Sequence, residues 1–200
     1  MINSRTDLIN YFIKKTRAKK YLEIGVEGGT NFSRVECEYK IGVDPDINSK
    51  ATHIMTSDVF FKTNNEKFDV IFVDGLHHCD QAYKDILNSL NALTDGGYIL
   101  CHDINPSDEI SQRVPRMQAS WTGDCWKALV KLRLETNDLK IKTVLVCSGI
   151  GIISKGKPKK ISTIINEDPF KLEYEFLDKN RKELINLISL EEFLKEEAGV

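Results

Sequence analysis

Two hundred residues suffice for one domain with a buried core. A hydrophobic fraction of 41% beside 29% charged residues is that of a folded globular chain, not a disordered one. The formal net charge of -2 supplies no global field toward nucleic acid or membrane surfaces, and no apolar run approaches the roughly 20 residues of a membrane span.

The opening MINSRTDLINYFIKKTRAKK lacks a continuous apolar stretch and a small-residue cleavage site, so it does not read as a signal peptide, and a cytoplasmic location is expected. Leu8, Ile9, Phe12 and Ile13 recur at helical spacing within residues 5–17. KKYLEIGV then reads as a strand, KIGVDPD (40–46) as a second, and ATHIMTSD (51–58) as a weaker third. FDVIFVDG (68–75) is a continuous apolar strand of the kind buried on both faces of a parallel sheet. A helix over roughly residues 79–93 follows, with Ala82, Ile86, Leu87, Leu90 and Leu93 on one face. GGYILCHD (96–103) is the next buried strand. Asp124 is placed to cap a helix through WKALVKLRLE, and KTVLVCSGIGIISKG reads as a hairpin turning at Ser148-Gly149. GKPKK (156–160) resembles a surface linker, and RKELINLISLEEFLKE reads as one amphipathic helix.

Strands alternating with helices predict an α/β fold, Rossmann-like and doubly wound, with a mainly parallel sheet and an antiparallel strand from the C-terminal hairpin. The expected organisation is one domain over 1–156 and a helical extension over 157–200, packed on the domain or on a second subunit as a homodimer. Five widely spaced cysteines without a C-x-x-C pair predict reduced thiols, not a disulfide framework or zinc ribbon.

Ligands of open α/β sheets sit beyond the carboxyl ends of the strands. Here those ends carry Glu23, Asp44, Asp58, Asp74 and Asp103. Each alone suits a cap or turn, but a buried sheet has no structural need for an acid at nearly every strand end. The first turn, YLEIGVEGGTNF, narrows the ligand. A dinucleotide fingerprint starting at Gly25 requires glycine at position 27, where Glu27 stands, and no Gly-Lys-Ser/Thr follows to make a P-loop. A carboxylate repels pyrophosphate. S-adenosylmethionine (SAM) carries no phosphate, and its sulfonium and ammonium are attracted by acids. Asp44 lies 19 residues beyond Gly25, where an acid hydrogen-bonds ribose hydroxyls in related nucleotide folds. Asp58, with Ser57, is placed to accept from the adenine amino group.

In order and spacing YLEIGVEGGTNF, IGVDPD, TSDVFF, FDVIFVDG and GGYILCHD resemble the successive motifs of class I SAM-dependent methyltransferases. VDGLHHCDQAYKDI with GGYILCHD is similar to the branch of small-molecule and sugar O-methyltransferases, some magnesium-dependent. The resemblance spans about residues 20–155. It implies that Glu23, Gly25, Gly28 and Gly29, flanked by Glu27 and Thr30, hold the methionyl part. It further implies that Asp44 takes the ribose and that Ser57 and Asp58 flank the adenine; Asp74 is expected among the cofactor-binding residues. Cys79 departs from the branch, which usually has tyrosine there.

VDGLHH and CHDINP follow adjacent strands, gathering Asp74, His77, His78, His102 and Asp103. Two readings stand side by side. Either Asp74, His102 and Asp103 bind Mg2+, the role the acids have in metal-dependent relatives, or His77 or His102 acts as general base without metal. Residues 115–133 offer Trp121 and Arg116 as acceptor-pocket groups, while Trp126 reads as core. The expected activity is O-methylation of a small-molecule or sugar-type hydroxyl, with no nucleic-acid or membrane partner. The alternatives are a metal-dependent hydrolase using the His/Asp cluster and a non-catalytic SAM-binding protein.

Overall fold

Five apolar runs of the sequence become parallel strands: β1 (Lys20–Ile24), β2 (Tyr39–Asp44), β3 (His53–Ile54), β4 (Phe68–Val73) and β5 (Leu93–Cys101). Tyr21, Leu22, Ile71, Phe72, Ile99 and Leu100 are fully buried, so the consecutive apolar residues of β1, β4 and β5 meet protein on both faces of the sheet. The computed structural model describes residues 2–199 and divides into two compact units. The first comprises the described residues up to Leu76 together with Lys84–Cys101.

In this unit the strands run in the order β3-β2-β1-β4-β5. The order reverses at β1, whose neighbours are β2 and β4, and that reversal opens a crevice beyond the carboxyl ends. Helix α1 (Arg5–Thr16) starts at Ser4, whose Oγ accepts from the Asp7 N–H, and buries Leu8, Ile9, Phe12 and Ile13. The Phe12 ring meets Tyr98 of β5 at 4.5 Å between centroids.

ATHIMTSD yields only the two-residue β3, and Ser57 and Asp58 open helix α2 (Ser57–Thr63) instead of ending a strand. The Thr56 hydroxyl accepts from the Val59 N–H and starts that helix. Helix α3 (Cys79–Asn91) leads into β5.

The second unit comprises His77–Tyr83 and the described residues from His102 onward. It holds the short helix α4 (Glu109–Gln112), α5 (Trp126–Glu135), the hairpin β6 (Leu139–Val144) and β7 (Ile150–Lys155), α6 (Tyr174–Leu184), β8 (Leu187–Ile188) and α7 (Leu190–Ala198). β6 pairs antiparallel with β7 and parallel with β8. The fold is thus α/β and Rossmann-like, mainly parallel, with the antiparallel strand supplied by the hairpin.

Two local expectations change. The expected single helix over 181–196 is broken between α6 and α7. Asn186 adopts φ 47°, β8 follows, and Ser189 caps a new helix in a reciprocal bond with Glu192. Leu184, Ile185 and Phe193 are fully buried within the chain, while Leu187 and Ile188 are half-buried and Leu194 is exposed. Asp124 does not cap α5, whose N-cap is Cys125. Its carboxylate accepts from the Cys79 N–H at 2.7 Å and so caps the first turn of α3.

The buried Arg133 guanidinium ties the tail down by donating to the carbonyls of Glu183, Leu184 and Lys159. Among the described residues the five cysteines are free. Cys101 and Cys125 are buried and Cys147 is exposed. No helix of the described residues is long and apolar enough to cross a membrane.

Candidate active site

The glycine turn lies where β1 and β4 end side by side. Gly25 has φ 84°, and a Cβ there would stand 2.0 Å from the Asp74 carbonyl oxygen, so only glycine lets the two backbones meet. The Asp74 N–H donates to the Ile24 carbonyl at 2.8 Å, extending the β1–β4 ladder by one step.

Asp44, at the end of β2, folds the turn. One carboxylate oxygen accepts from the N–H groups of Val26 (2.9 Å) and Glu27 (2.8 Å), and the other accepts from the Asp46 N–H. Asp44 is 8% exposed, and three charge-assisted bonds repay its desolvation. Glu27 is exposed and holds φ 49°, a left-handed conformation unusual for a side chain of its size. Its carbonyl accepts from the Lys50 N–H, and the Lys50 side chain lies against Gly29. Gly28 and Thr30 are exposed on the same turn.

Glu23 is 1% exposed beneath this turn. One of its oxygens accepts from the Tyr21 hydroxyl (2.6 Å) and from the Asn31 amide (2.9 Å). Burial pushes the Glu23 carboxyl up to about 7; the two hydrogen bonds and Arg5 oppose that rise, and the nearby Asp74 charge adds to it. Burial, then the Glu23 charge, holds the Tyr21 hydroxyl well above its ordinary value. Asp74 pairs with Arg5 of α1 at 2.9 Å. Thr6, the next residue of α1, donates to the Asn31 side-chain oxygen at 2.7 Å.

The sequence reading missed Arg5, Thr6, Tyr21 and Asn31. Tyr21 and Glu23, two apart on a strand, share a face, and that period is the signal that reveals the pair. Ser57 and Asp58 stand apart from this network in α2, where Asp58 pairs with Lys84 at 2.6 Å.

In the second unit, one Asp103 oxygen lies 3.4 Å from His77 Nε2 and 3.2 Å from His102 Nδ1. Asp103 is buried and has φ 58°; the residues after it are fixed where the N–H groups of Ile104 and Asn105 donate to the carbonyls of Gly149 and Ser148. A strained, over-determined backbone of this sort recurs at functional sites.

His77 Nδ1 is 3.3 Å from the Trp121 carbonyl, which can only accept, and its Nε2 faces Asp103. The Trp121 ring lies 5.1 Å from the His77 ring, and the Arg116 guanidinium is 5.9 Å from the Trp121 centroid. Gly123 makes room for this, since a Cβ there would collide with the His77 carbonyl. His78 is half-buried with its ring edge toward Trp121. Burial, then Asp124, raises the Cys79 thiol to about 12, so it stays protonated at neutral pH. Trp126 is core, fully buried, its indole N–H donating to Gln112.

Asp74, His102 and Asp103 can each offer one metal-ligand atom. Asp74 belongs to the first unit, and His102 and Asp103 belong to the second.

A family model described as a methyltransferase domain matches residues 43–104. No curated protein matches the chain in sequence. Solved structures with the same fold include three methyltransferases. An S-adenosylhomocysteine (SAH)-bound methyltransferase from Podospora anserina, PaMTH1, has a TM-score of 0.57 at 17% identity, covering 76% of this chain and 78% of that one. The O-methyltransferase TomG from Streptomyces achromogenes, in complex with SAM, has a TM-score of 0.60 at 12% identity over 76% and 79%. An O-methyltransferase from Bacillus cereus, in complex with SAH, has a TM-score of 0.56 at 13% identity over 76% and 80%. A parallel sheet reversing at β1, acids at its strand ends and a methyltransferase-domain match through β2–β5 converge: the chain has the fold of the class I SAM-dependent methyltransferases.

Proposed function

We propose that the protein is a SAM-dependent methyltransferase acting on a hydroxyl oxygen of a small-molecule or sugar-type acceptor. The observation that carries this reading is the acidic glycine turn, where Glu23, Asp44 and Asp74 are held by hydrogen bonds around a bend whose Glu27 repels phosphate. The turn attracts the cationic ends of SAM, and Gly28 and Thr30 border it. Asp44 has its bonds to the turn, so its support for the ribose comes through the backbone it shapes as well as through its own carboxylate. Ser57 and Asp58 are assigned to the adenine end.

SAM supplies the electrophilic methyl carbon. With SAM bound, transfer of that methyl to the acceptor oxygen would leave the carbon–sulfur electron pair on sulfur, giving SAH. The hydroxyl proton passes to the His77–Asp103 pair, which holds it between the imidazole Nε2 and the carboxylate. His102 fixes the other side of the same carboxylate oxygen. Trp121 and Arg116 form a wall for the acceptor. The metal-free form of this reading is favoured because Asp74 already meets Arg5 and Asp103 meets two imidazoles, whereas Mg2+ prefers oxygen ligands and demands near-ideal octahedral geometry.

The test is SAH formation from SAM with pooled hydroxylated metabolites and nucleotide sugars, run with Mg2+ and with chelator. SAH accumulation in both arms supports the reading. Accumulation only with Mg2+ reinstates the cation, and SAM-independent, metal-dependent hydrolysis overturns the assignment.

A further inference from the structure

Acids alone are an incomplete description of a site for an amino-acid-bearing ligand. Glu23, Glu27, Asp44 and Asp74 attract an ammonium and a sulfonium, yet they repel the carboxylate that SAM carries on the same carbon as its ammonium. A cation beside the acids offsets that repulsion, and Arg5 is bonded to this cluster. Its Nη1 donates to Asp74 Oδ2 at 2.9 Å, with the guanidinium side chain 34% exposed and the Asp74 side chain 12% exposed.

The guanidinium is held in place from both directions along the chain. Ser4 caps the helix that Arg5 begins, and Thr6 is bonded to Asn31, the same residue that donates to Glu23. The first turn of α1 is thereby pinned to the end of the glycine turn. The guanidinium side of this pair stays partly open to solvent. What it presents is a fixed positive group beside a fixed negative one, and a guanidinium fork matches a carboxylate in two-pronged geometry.

Resting on the methyltransferase reading, we propose that Arg5 recognises the carboxylate of the ligand's amino-acid group while Asp74 recognises its ammonium. The pair then makes the site specific for adenosyl ligands that retain the whole α-amino acid. Arg5 is a specificity residue contributed by the N-terminal helix, outside the strand-end motifs.

The experiment is calorimetric titration of the full chain with SAH and with its decarboxylated analogue, in which the amino-acid group is a simple amine. Wild type should prefer SAH by about 10- to 100-fold, the range for charge-assisted hydrogen bonds. Arg5→Ala should bind SAH that much more weakly while its affinity for the amine stays within about 3-fold, and Arg5→Lys should recover part of the preference. Arg5→Gln keeps the length and loses the charge, and should show the same selective loss of SAH affinity if the alanine variant does not fold. An unchanged preference in the variants, or equal loss of both ligands, makes Arg5 a structural tether and overturns the proposal. Wild type that binds neither compound overturns the methyltransferase reading itself, which separates the two failures.

Discussion

The two charged clusters of this protein are built in opposite ways. At the strand ends of the first unit, carboxylates are restrained by groups that cannot take their protons: backbone N–H groups on Asp44, a hydroxyl and an amide on Glu23, a guanidinium on Asp74. In the second unit, Asp103 shares one oxygen with two imidazoles, groups that do exchange protons near neutral pH. The first arrangement suits holding a charged ligand still. The second suits moving a proton. The proposed methyl transfer to oxygen would use both, and the chain keeps them on separate residues.

The sharpest way to break this comparison is to disable the proton-handling side alone. His77→Ala should lower turnover by about 10²- to 10⁴-fold, the range for general-base loss, while SAM affinity by calorimetry stays within about 2-fold. Wild-type turnover removes His77 from the chemistry, and a parallel loss of SAM affinity dissolves the division of labour. Next in size is the backbone contact beneath the holding side. Gly25→Ala places a methyl group against the Asp74 carbonyl in a left-handed bend, and should cost about 3 kcal/mol or more in denaturant unfolding.

Comparable in size is the pH response of Glu23. Its folded-state value of about 7 lies above the ordinary 4.5, so the folded protein binds more protons than the unfolded chain between those values. Stability without ligand should therefore fall as pH rises from about 4.5 to 7, by roughly 3 kcal/mol from this group. Glu23→Gln should flatten that slope in urea titrations at a series of pH values. A cationic ligand favours the ionised carboxylate, so SAM binding at pH 7 should release protons, visible as a buffer-dependent enthalpy. Smallest is Asp44→Asn, which weakens the bonds to Val26 and Glu27 and should reduce SAM affinity by about 1–3 kcal/mol. Unchanged affinity would show that the turn keeps its shape without that charge.

The sequence carries the parallel sheet plainly, because β1, β4 and β5 each hold a consecutive apolar run and have an acid at or just past the carboxyl end. The chemistry of Glu23, Asp44 and Asp74 is also legible, since charge at a buried strand end needs a reason. Partners that come from elsewhere in the chain are not legible. Arg5 and Thr6 look like ordinary polar residues on the first turn of a surface helix until α1 is packed beside β4. Asp124 reads as a cap for the helix that follows it, but it caps α3, some 45 residues earlier. TSD reads as a strand end because an acid after an apolar pair looks alike in both settings, yet the Thr56 hydroxyl turns it into a helix start. The tail shows helical spacing throughout 181–196, and only Asn186 in a left-handed bend, with β8 pairing to β6, interrupts it.

The central claim is that fixed negative charge around residues 23–29 selects an adenosine compound that is positively charged and free of phosphate. Competition of unlabelled SAM, ATP and NAD against labelled SAH on the full chain tests it most directly. SAM should displace SAH completely, with neither phosphate-bearing compound competing at millimolar concentration. Displacement by ATP or NAD at concentrations similar to SAM would contradict the claim.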